Sequence, residues 1–364
     1  MSVALAEPIL SYAAMKPWND RLQLLEVIAV TDEAPDVKTF TFRSDADTLF
    51  QYKPGQFVTL ELPAPGGQLL RTYTLSSSPS RPLSIAVTVK AQAESVGTRW
   101  MFENLRPGSR IKAYGPTGHF THIGHEARQY LFISAGSGVT PMMSMLRWFA
   151  DCAPGADIAF VTCARAPEEI IFRRELELLG RSMPQLALSI LVKNRSLQES
   201  WPGHRGRLDA ALLPMLVPDV MQREVFCCGP DAFMSLVQSL LRDAGFDMAH
   251  YHQESFGDTP ASASVQPMPD APAAEAGDSA AVDFTLSGVT GACQAGQTIL
   301  EAARAAGVRI PAACESGICG TCKTLKLSGE VTMAHNGGIL DEEVEEGYIL
   351  ACCSRPLGDV VVEA

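Results

Sequence analysis

Residues 314–322 read Cys-Glu-Ser-Gly-Ile-Cys-Gly-Thr-Cys, setting Cys314, Cys319 and Cys322 at Cys-x4-Cys-x2-Cys spacing, with Cys352 standing 30 positions beyond the last of them. Three thiolates on a tight loop and a fourth on a distant strand is the spacing that holds a 2Fe–2S cluster. Gly317 and Gly320 fall where small residues let backbone N–H groups turn towards the cluster sulfurs, which helps carry the negative charge added on reduction. A structural zinc site is the competing use of such cysteines. Zinc ribbons favour two close Cys-x2-Cys pairs, and the second pair is absent here. Cys353 adjoins Cys352 and could replace it, but the spacing favours Cys352.

On both sides of this loop the tail resembles the whole plant-type ferredoxin domain. Residues 282–286 and 291–293 match its opening hairpin, 298–306 its helix, and 329–331 and 349–356 its closing segments. The resemblance implies an α+β fold of the β-grasp type over residues 282–364. Ahead of it, residues 257–281 (GDTPASASVQPMPDAPAAEAGDSAA) are rich in Ala, Pro, Ser and Asp, with almost no large apolar side chain. They cannot bury a core and read as a flexible linker.

The charge is as uneven as the composition. Of the net −12, residues 1–256 carry −2, the linker −4 and the tail −6. Such acidity speaks against a nucleic-acid partner and suits a basic protein surface. The run Asp341-Glu-Glu-Val-Glu-Glu346 is either a solvated face or part of that docking surface. Mean hydropathy is near zero, and no apolar run reaches the ~20 residues that span a membrane. Residues 1–18 have Glu7 early, no Lys or Arg before Lys16 and no continuous apolar stretch. Neither signal peptide nor membrane anchor is read, and the expected location is the cytoplasm. Ten cysteines there point to metal or redox use before disulfides. Cys152, Cys163, Cys227, Cys228 and Cys293 have apolar or small neighbours, and burial is the default reading for most of them.

The first 256 residues change rhythm once. Residues 22–30, 37–42, 56–62, 71–75, 83–89 and 109–114 are short strand-like runs, with one helix at 95–104. Six short strands and one helix predict an antiparallel β-barrel over residues 18–122. In residues 123–256, strand-like runs at 130–134, 158–162, 187–192 and 224–227 alternate with helical stretches at 142–149, 168–180 and 232–245. Alternation of that kind predicts an α/β, doubly wound parallel sheet.

Within the barrel, Arg71-Thr72-Tyr73-Thr74 resembles the Arg-x-Tyr-Ser/Thr flavin motif of the ferredoxin–NADP+ reductase superfamily. Pro54-Gly55-Gln56-Phe57 ahead of it and Gly115-Pro116-Thr117-Gly118-His119-Phe120 at the barrel's end fit the same family. The resemblance implies that Arg71 pairs with the flavin pyrophosphate, a task suited to a planar, permanently charged fork. Tyr73 would lie against the isoalloxazine and Thr74 would reach its N5 region. FAD-binding members open the barrel helix with Gly-x-x-Ser/Thr. Thr98 takes the hydroxyl position, but Ser95 stands where the glycine would be. That departure leaves the choice between FAD and FMN open, with FAD favoured.

Past residue 134, Gly136-Ser137-Gly138-Val139-Thr140-Pro141 joins a strand to a helix. Glycines let a pyrophosphate approach the backbone, and Thr140-Pro141 is good helix-start chemistry. Gly-x-Gly-x-x-Pro is what the same superfamily uses for its nicotinamide nucleotide. Cys227-Cys228-Gly229-Pro230 matches the family's Cys-Gly-Pro motif, which implies that Cys228 lies near the nicotinamide, with Gly229 and Pro230 lining the nucleotide. Glu254-Ser255-Phe256 matches its terminal segment, with Phe256 a flavin neighbour, and Arg165 is a candidate for the adenosine half. No cluster for a 2′-phosphate is visible, so NADH is favoured over NADPH.

The three modules run in the order flavin barrel, nicotinamide domain, ferredoxin. Together they convert a two-electron donor into single electrons: NADH gives a hydride, the flavin holds both electrons, and the cluster passes them on. No haem, Rieske or non-haem iron ligand set is seen, so oxygen chemistry is expected in a separate protein. Such chains resemble reductase components of two-component oxygenases, especially those serving Rieske-type monooxygenases that demethylate glycine betaine and related quaternary amines. They also resemble the NADH reductase of the hybrid-cluster protein. A redox sensor with the tail as a switchable binding module is the rival from another class, and a ferredoxin reductase with a fused ferredoxin differs only in acceptor.

Overall fold

Along Val37–Ser44, Phe40 and Phe42 point to the same side and are fully buried, which is what the period-two geometry of a half-buried strand requires. The computed structural model describes residues 16–17, 23–44, 48–64, 67–92, 95–196, 199–256, 279–312, 315, 317, 320–335, 338–339 and 341–364. The chain forms two compact units.

In the first unit, six strands hydrogen-bond in the order Gly67–Thr74, Phe57–Ala64, Arg110–Thr117, Gln23–Ala34, Val37–Ser44 and Ile85–Lys90. A bridge from Leu75 to Val87 brings the two edges together, giving the expected antiparallel barrel. Its interior is filled by Leu25, Val27, Phe40, Phe42, Leu60 and Val87. Each such side chain contributes about 1.5–3 kcal/mol by leaving water. The barrel helix spans Val96–Asn104 and is capped by Ser95, whose hydroxyl accepts from the Thr98 N–H.

The second sheet of this unit is parallel throughout, in the order His204–Arg205, Leu186–Val192, Asp157–Ala164, Gln129–Ala135, Glu224–Cys228, Tyr251–Glu254. Along the central strand, Tyr130 and Phe132 enter one core while Leu131 and Ile133 enter another. Both faces are covered, as a parallel sheet demands. Helices Val139–Cys152, Arg173–Ser182 and Asp231–Asp243 supply much of that cover.

The expected helix over 168–180 is interrupted. A single 3-10 turn at Pro167–Glu169 gives way to Ile170, Ile171 and Phe172, all buried, and the helix starts at Arg173. Three consecutive apolar residues cannot share one helix face. Leaving the helix, with Phe172 in the left-handed region at φ 59°, lets all three bury. The structure also adds edge strands His204–Arg205 and Tyr251–Glu254 and a short helix, Leu212–Leu216.

The C-terminal unit is a mixed sheet ordered Val289–Cys293, Ala280–Phe284, Val360–Val362, Lys323–Ser328, Tyr348–Leu350, in which Ala280–Phe284 pairs parallel with Val360–Val362. Helix Ile299–Ala305 packs on it and opens with a capping box formed by Thr298 and Glu301. This is the α+β, β-grasp arrangement. Its first strand begins at Ala280, two residues ahead of the expected start at 282. The acidic run forms a short helix, Asp341–Glu345, whose Glu343 pairs with Lys323 at 2.7 Å. Residues 257–278 of the expected linker lie outside the described residues. No helix among the described residues is long and apolar enough to cross a membrane.

Candidate functional site

The strand order of the parallel sheet reverses between Gln129–Ala135 and its neighbour Glu224–Cys228. A crevice forms beyond the carboxyl ends of strands at such a point, and ligands bind there. Both nucleotide motifs fall on it. Gly136–Gly138 turns the chain into helix Val139–Cys152, and Cys228-Gly229-Pro230 turns it into helix Asp231–Asp243. Gly136 has φ +57° with open space where a Cβ would point. Gly138 instead touches the second motif: a Cβ there would lie 2.2 Å from the Cys228 carbonyl oxygen. Thr140 donates its hydroxyl to the Ser137 carbonyl at 3.0 Å, and Thr140 and Pro141 are buried in the first turn of the helix. Bare backbone at a helix start suits a pyrophosphate.

Cys228 is fully buried, and burial, followed by the nearby Glu254 carboxyl, pushes its thiol well above the usual range. Glu254 is its register partner on the adjacent strand. The Glu254 Oε2 is buried with no hydrogen-bond partner, and burial raises this carboxyl from 4.5 to about 8. A neutral thiol and a carboxyl able to hold a proton near neutrality thus sit side by side at the crevice. Ser255 donates to Asp231 at 2.8 Å, tying the end of the unit to the Cys228-Gly229-Pro230 turn, and Phe256 is 43% exposed. Glu254 stood in a quoted motif, yet its role emerges only from pairing two strands far apart in sequence.

The expected flavin residues lie on strand Gly67–Thr74. Thr74 is buried, Tyr73 is half-buried against the barrel core, and Arg71 donates Nη1 to the Leu70 carbonyl at 2.8 Å. The loop that follows is held by the nucleotide helix. Ser144 accepts from the Gly55 N–H at 3.2 Å and donates to the Ser77 carbonyl at 2.6 Å. Arg147 donates to the Ser76 carbonyl, makes two bonds to Glu175 and covers the Phe172 ring at 4.8 Å. Arg81 grips Asp151, near the same helix's end, with bonds of 2.8 and 2.9 Å. Neither Ser144 nor Arg147 carries a local signal, because each acts on main-chain carbonyls of a distant segment.

Thr98 is buried in the first turn of the barrel helix. Its hydroxyl accepts from the Gln92 N–H at 3.2 Å and its N–H goes to Ser95. Arg165 is exposed just past strand Asp157–Ala164, and its carbonyl accepts from the Asn194 N–H at 2.7 Å. Beside it opens a polar cavity of about 320 Å³ lined by Asn194, Arg195, Ser196, Glu199, Trp201 and Arg205.

In the C-terminal unit, Cys322 and Cys352 come together: the Cys352 N–H points at the Cys322 sulfur, 3.4 Å away, and both residues are buried. A backbone donor aimed at a sulfur fits a cluster thiolate, whose charge it would stabilise. Cys353 points elsewhere, its thiol 3.7 Å from the Leu350 carbonyl oxygen. Gly320 has φ +68° and lies so near the Gly338 carbonyl that a Cβ would come within 2.8 Å. Cys314 and Cys319 lie outside the described residues.

Comparison with known proteins accounts for all three modules. Residues 24–122 match the oxidoreductase FAD-binding domain, 132–239 the oxidoreductase NAD-binding domain, and 284–357 the 2Fe-2S iron-sulfur cluster binding domain. The chain is 51% identical over 347 residues to the stachydrine N-demethylase reductase subunit of Rhizobium meliloti, covering 95% of this chain and 98% of that one. It is 44% identical to the glycine betaine monooxygenase reductase subunit of Pseudomonas aeruginosa, covering 95% and 96%. Among solved structures, phthalate dioxygenase reductase shares the fold across 95% of this chain and 98% of its own, with a TM-score of 0.59 at 24% identity.

Proposed function

The chain belongs to the family of FAD- and NAD-binding oxidoreductases that carry a C-terminal 2Fe–2S domain, and on that premise we propose that it is the reductase component of a monooxygenase that demethylates a quaternary amine. In the cytoplasm, electrons enter this chain from NADH and leave through the tail to a separate oxygenase. The observation that carries this reading is likeness along the whole chain, tail included, to two reductase subunits whose named systems act on stachydrine and glycine betaine. FAD and the cluster, when bound, supply the change from a two-electron donor to single electrons.

The chain's own residues then divide the work. Arg71 and the start of the barrel helix at Thr98 hold the flavin's phosphate end, while Tyr73, Thr74 and Phe256 hold its ring. Gly136, Gly138, Thr140 and Pro141 receive the NADH pyrophosphate, with Gly229 and Pro230 closing the crevice. Arg165, with Arg195 beside the neighbouring cavity, serves the adenosine half. Cys228 and Glu254 bound the reacting end, where Glu254 can keep its proton at neutral pH and so adds no buried negative charge next to the ring. Cys314, Cys319, Cys322 and Cys352 hold the cluster.

The test pairs the purified holoprotein with candidate oxygenases and follows NADH-dependent demethylation of stachydrine and of glycine betaine. Turnover with a quaternary-amine oxygenase is expected. No turnover with any of them, while NADH still reduces both flavin and cluster, would sink the acceptor assignment. Reduction of a hybrid-cluster protein instead would move the chain to that system. A cluster that stays oxidised under NADH would favour the redox sensor.

A further inference from the structure

Three histidines from two separate segments converge on one buried carboxylate at the far end of the parallel sheet from the glycine turn. Glu224, only 8% exposed, begins the strand that ends at Cys228. Its Oε1 lies 2.5 Å from His252 Nε2 and 4.0 Å from His125 Nδ1, and its Oε2 lies 2.8 Å from His250 Nδ1. His250 and His252 flank the start of edge strand Tyr251–Glu254, whereas His125 comes from the segment joining barrel to sheet. The rings of His125 and His252 stand 4.0 Å apart between centroids, and both lean on Phe226.

We propose that His125, Glu224 and His252 bind a divalent transition ion of the zinc class, with His250 orienting the carboxylate from its other oxygen. Their donor atoms all lie within 4.8 Å of one another. An ion about 2.1 Å from each donor needs tetrahedral donors about 3.4 Å apart, and the observed separations from Glu224 Oε1, 2.5 and 4.0 Å, bracket that figure. Hydrogen bonding alone does not account for the arrangement. His250 and His252 already serve the two carboxylate oxygens, whereas His125 Nδ1 stands 4.0 Å from Oε1, beyond hydrogen-bond reach. Two imidazoles and one carboxylate suit zinc-class ions, whereas calcium and magnesium take oxygen donors. His125 is 40% exposed on its side chain, which leaves a solvent side for a fourth ligand.

The site is distinct from the coenzyme crevice. Glu224 and Cys228 sit at opposite ends of one strand, about 13 Å apart at 3.3 Å per residue. Bound there, the ion would pin the edge strand and the preceding segment to the sheet, fixing the strand that carries Glu254 at its other end.

The experiment uses tag-free holoprotein with flavin and cluster in place. It is dialysed against micromolar zinc chloride, metal content is measured, and thermal unfolding is followed with and without zinc. One zinc per chain beyond the cluster iron is expected, with a higher midpoint when zinc is present. His125→Asn and His252→Asn should each weaken binding more than 100-fold and abolish the zinc-dependent rise, with flavin and cluster absorbance unchanged as the check on folding. His250→Asn, removing an outer partner, should cost about 10–100-fold. Exposed His204→Asn should change nothing. Zinc that stays bound in both ligand variants, held by cysteines instead, would overturn the proposal, as would no zinc beyond iron in the wild type.

Discussion

Replacing Gly138 by Ala tests whether the two nucleotide loops work as one surface. The new Cβ would lie 2.2 Å from the Cys228 carbonyl oxygen, 2.4 Å from its carbon and 2.6 Å from the Gly229 nitrogen. Ordinary contact begins at 3.4 Å, so the loops must part by the difference, about 1.2 Å. No flexible side chain is available to yield, because all three atoms are backbone. Overpacking of this kind costs about 1–3 kcal/mol of stability. The larger effect falls on rate, since a misplacement of about 1 Å at a reacting centre costs on the order of 100-fold. Anaerobic stopped-flow bleaching of the flavin by NADH measures it directly, and dithionite reduction of the cluster should be untouched. Gly136→Ala separates the two effects: its Cβ meets no protein atom within 4 Å, so the loops need not part. It should cost about 1–2 kcal/mol through strain at φ +57° and raise the NADH concentration needed for bleaching, because the Cβ enters the space proposed for the pyrophosphate. If Gly138→Ala bleaches its flavin within about threefold of the wild-type rate, the two loops do not share a surface that matters to the reaction.

Cys352→Ser should lose the cluster absorbance, whereas Cys353→Ser, whose thiol faces Leu350, should keep it; the reverse result would move the fourth ligand by one residue. Glu254 keeps its proton up to about pH 8 when folded but only to about 4.5 otherwise. Its contribution to stability is therefore present below 4.5 and lost as pH rises through 8. Glu254→Gln should flatten that decline in thermal unfolding of the holoprotein, and a wild-type slope in the variant would refute the assignment. Arg147→Ala strands the Ser76 carbonyl and frees Glu175; urea unfolding should show a loss of about 2 kcal/mol, and a loss under about 0.5 would mean that Arg147 is no clamp.

Much of this fold was legible because local rules and tertiary packing agreed. The alternating strands of the barrel and the strand–helix rhythm after residue 123 each follow from burial on one face or on two. Tyr251–Glu254 escaped notice because its sequence, Tyr-His-Gln-Glu, has no apolar alternation; it is a strand only because Glu224–Cys228 offers it an edge. The break at residues 170–172 escaped for the opposite reason, since two separate cores compete for three neighbouring side chains. Site residues divide the same way. Glycines and cysteines announce themselves through spacing, because their chemistry needs a fixed interval along the chain. Glu254, Arg147 and the His125–Glu224–His252 group do not, because each acquires its neighbours only when distant segments pair.

The bonds from Ser144 and Arg147 to the Ser76 and Ser77 carbonyls have a consequence for how such a protein can diversify. They weld the loop after strand Gly67–Thr74 to helix Val139–Cys152, so on the proposed assignment the protein itself holds the flavin and NADH sites in register. The cavity beside Arg165 and Arg195 lies outside that weld, on exposed loops. On the proposed assignment of the adenosine half to Arg165, changes there would retune which coenzyme is admitted without disturbing the spacing over which electrons are passed. Preference and speed would then rest on separate parts of the chain, each open to change on its own.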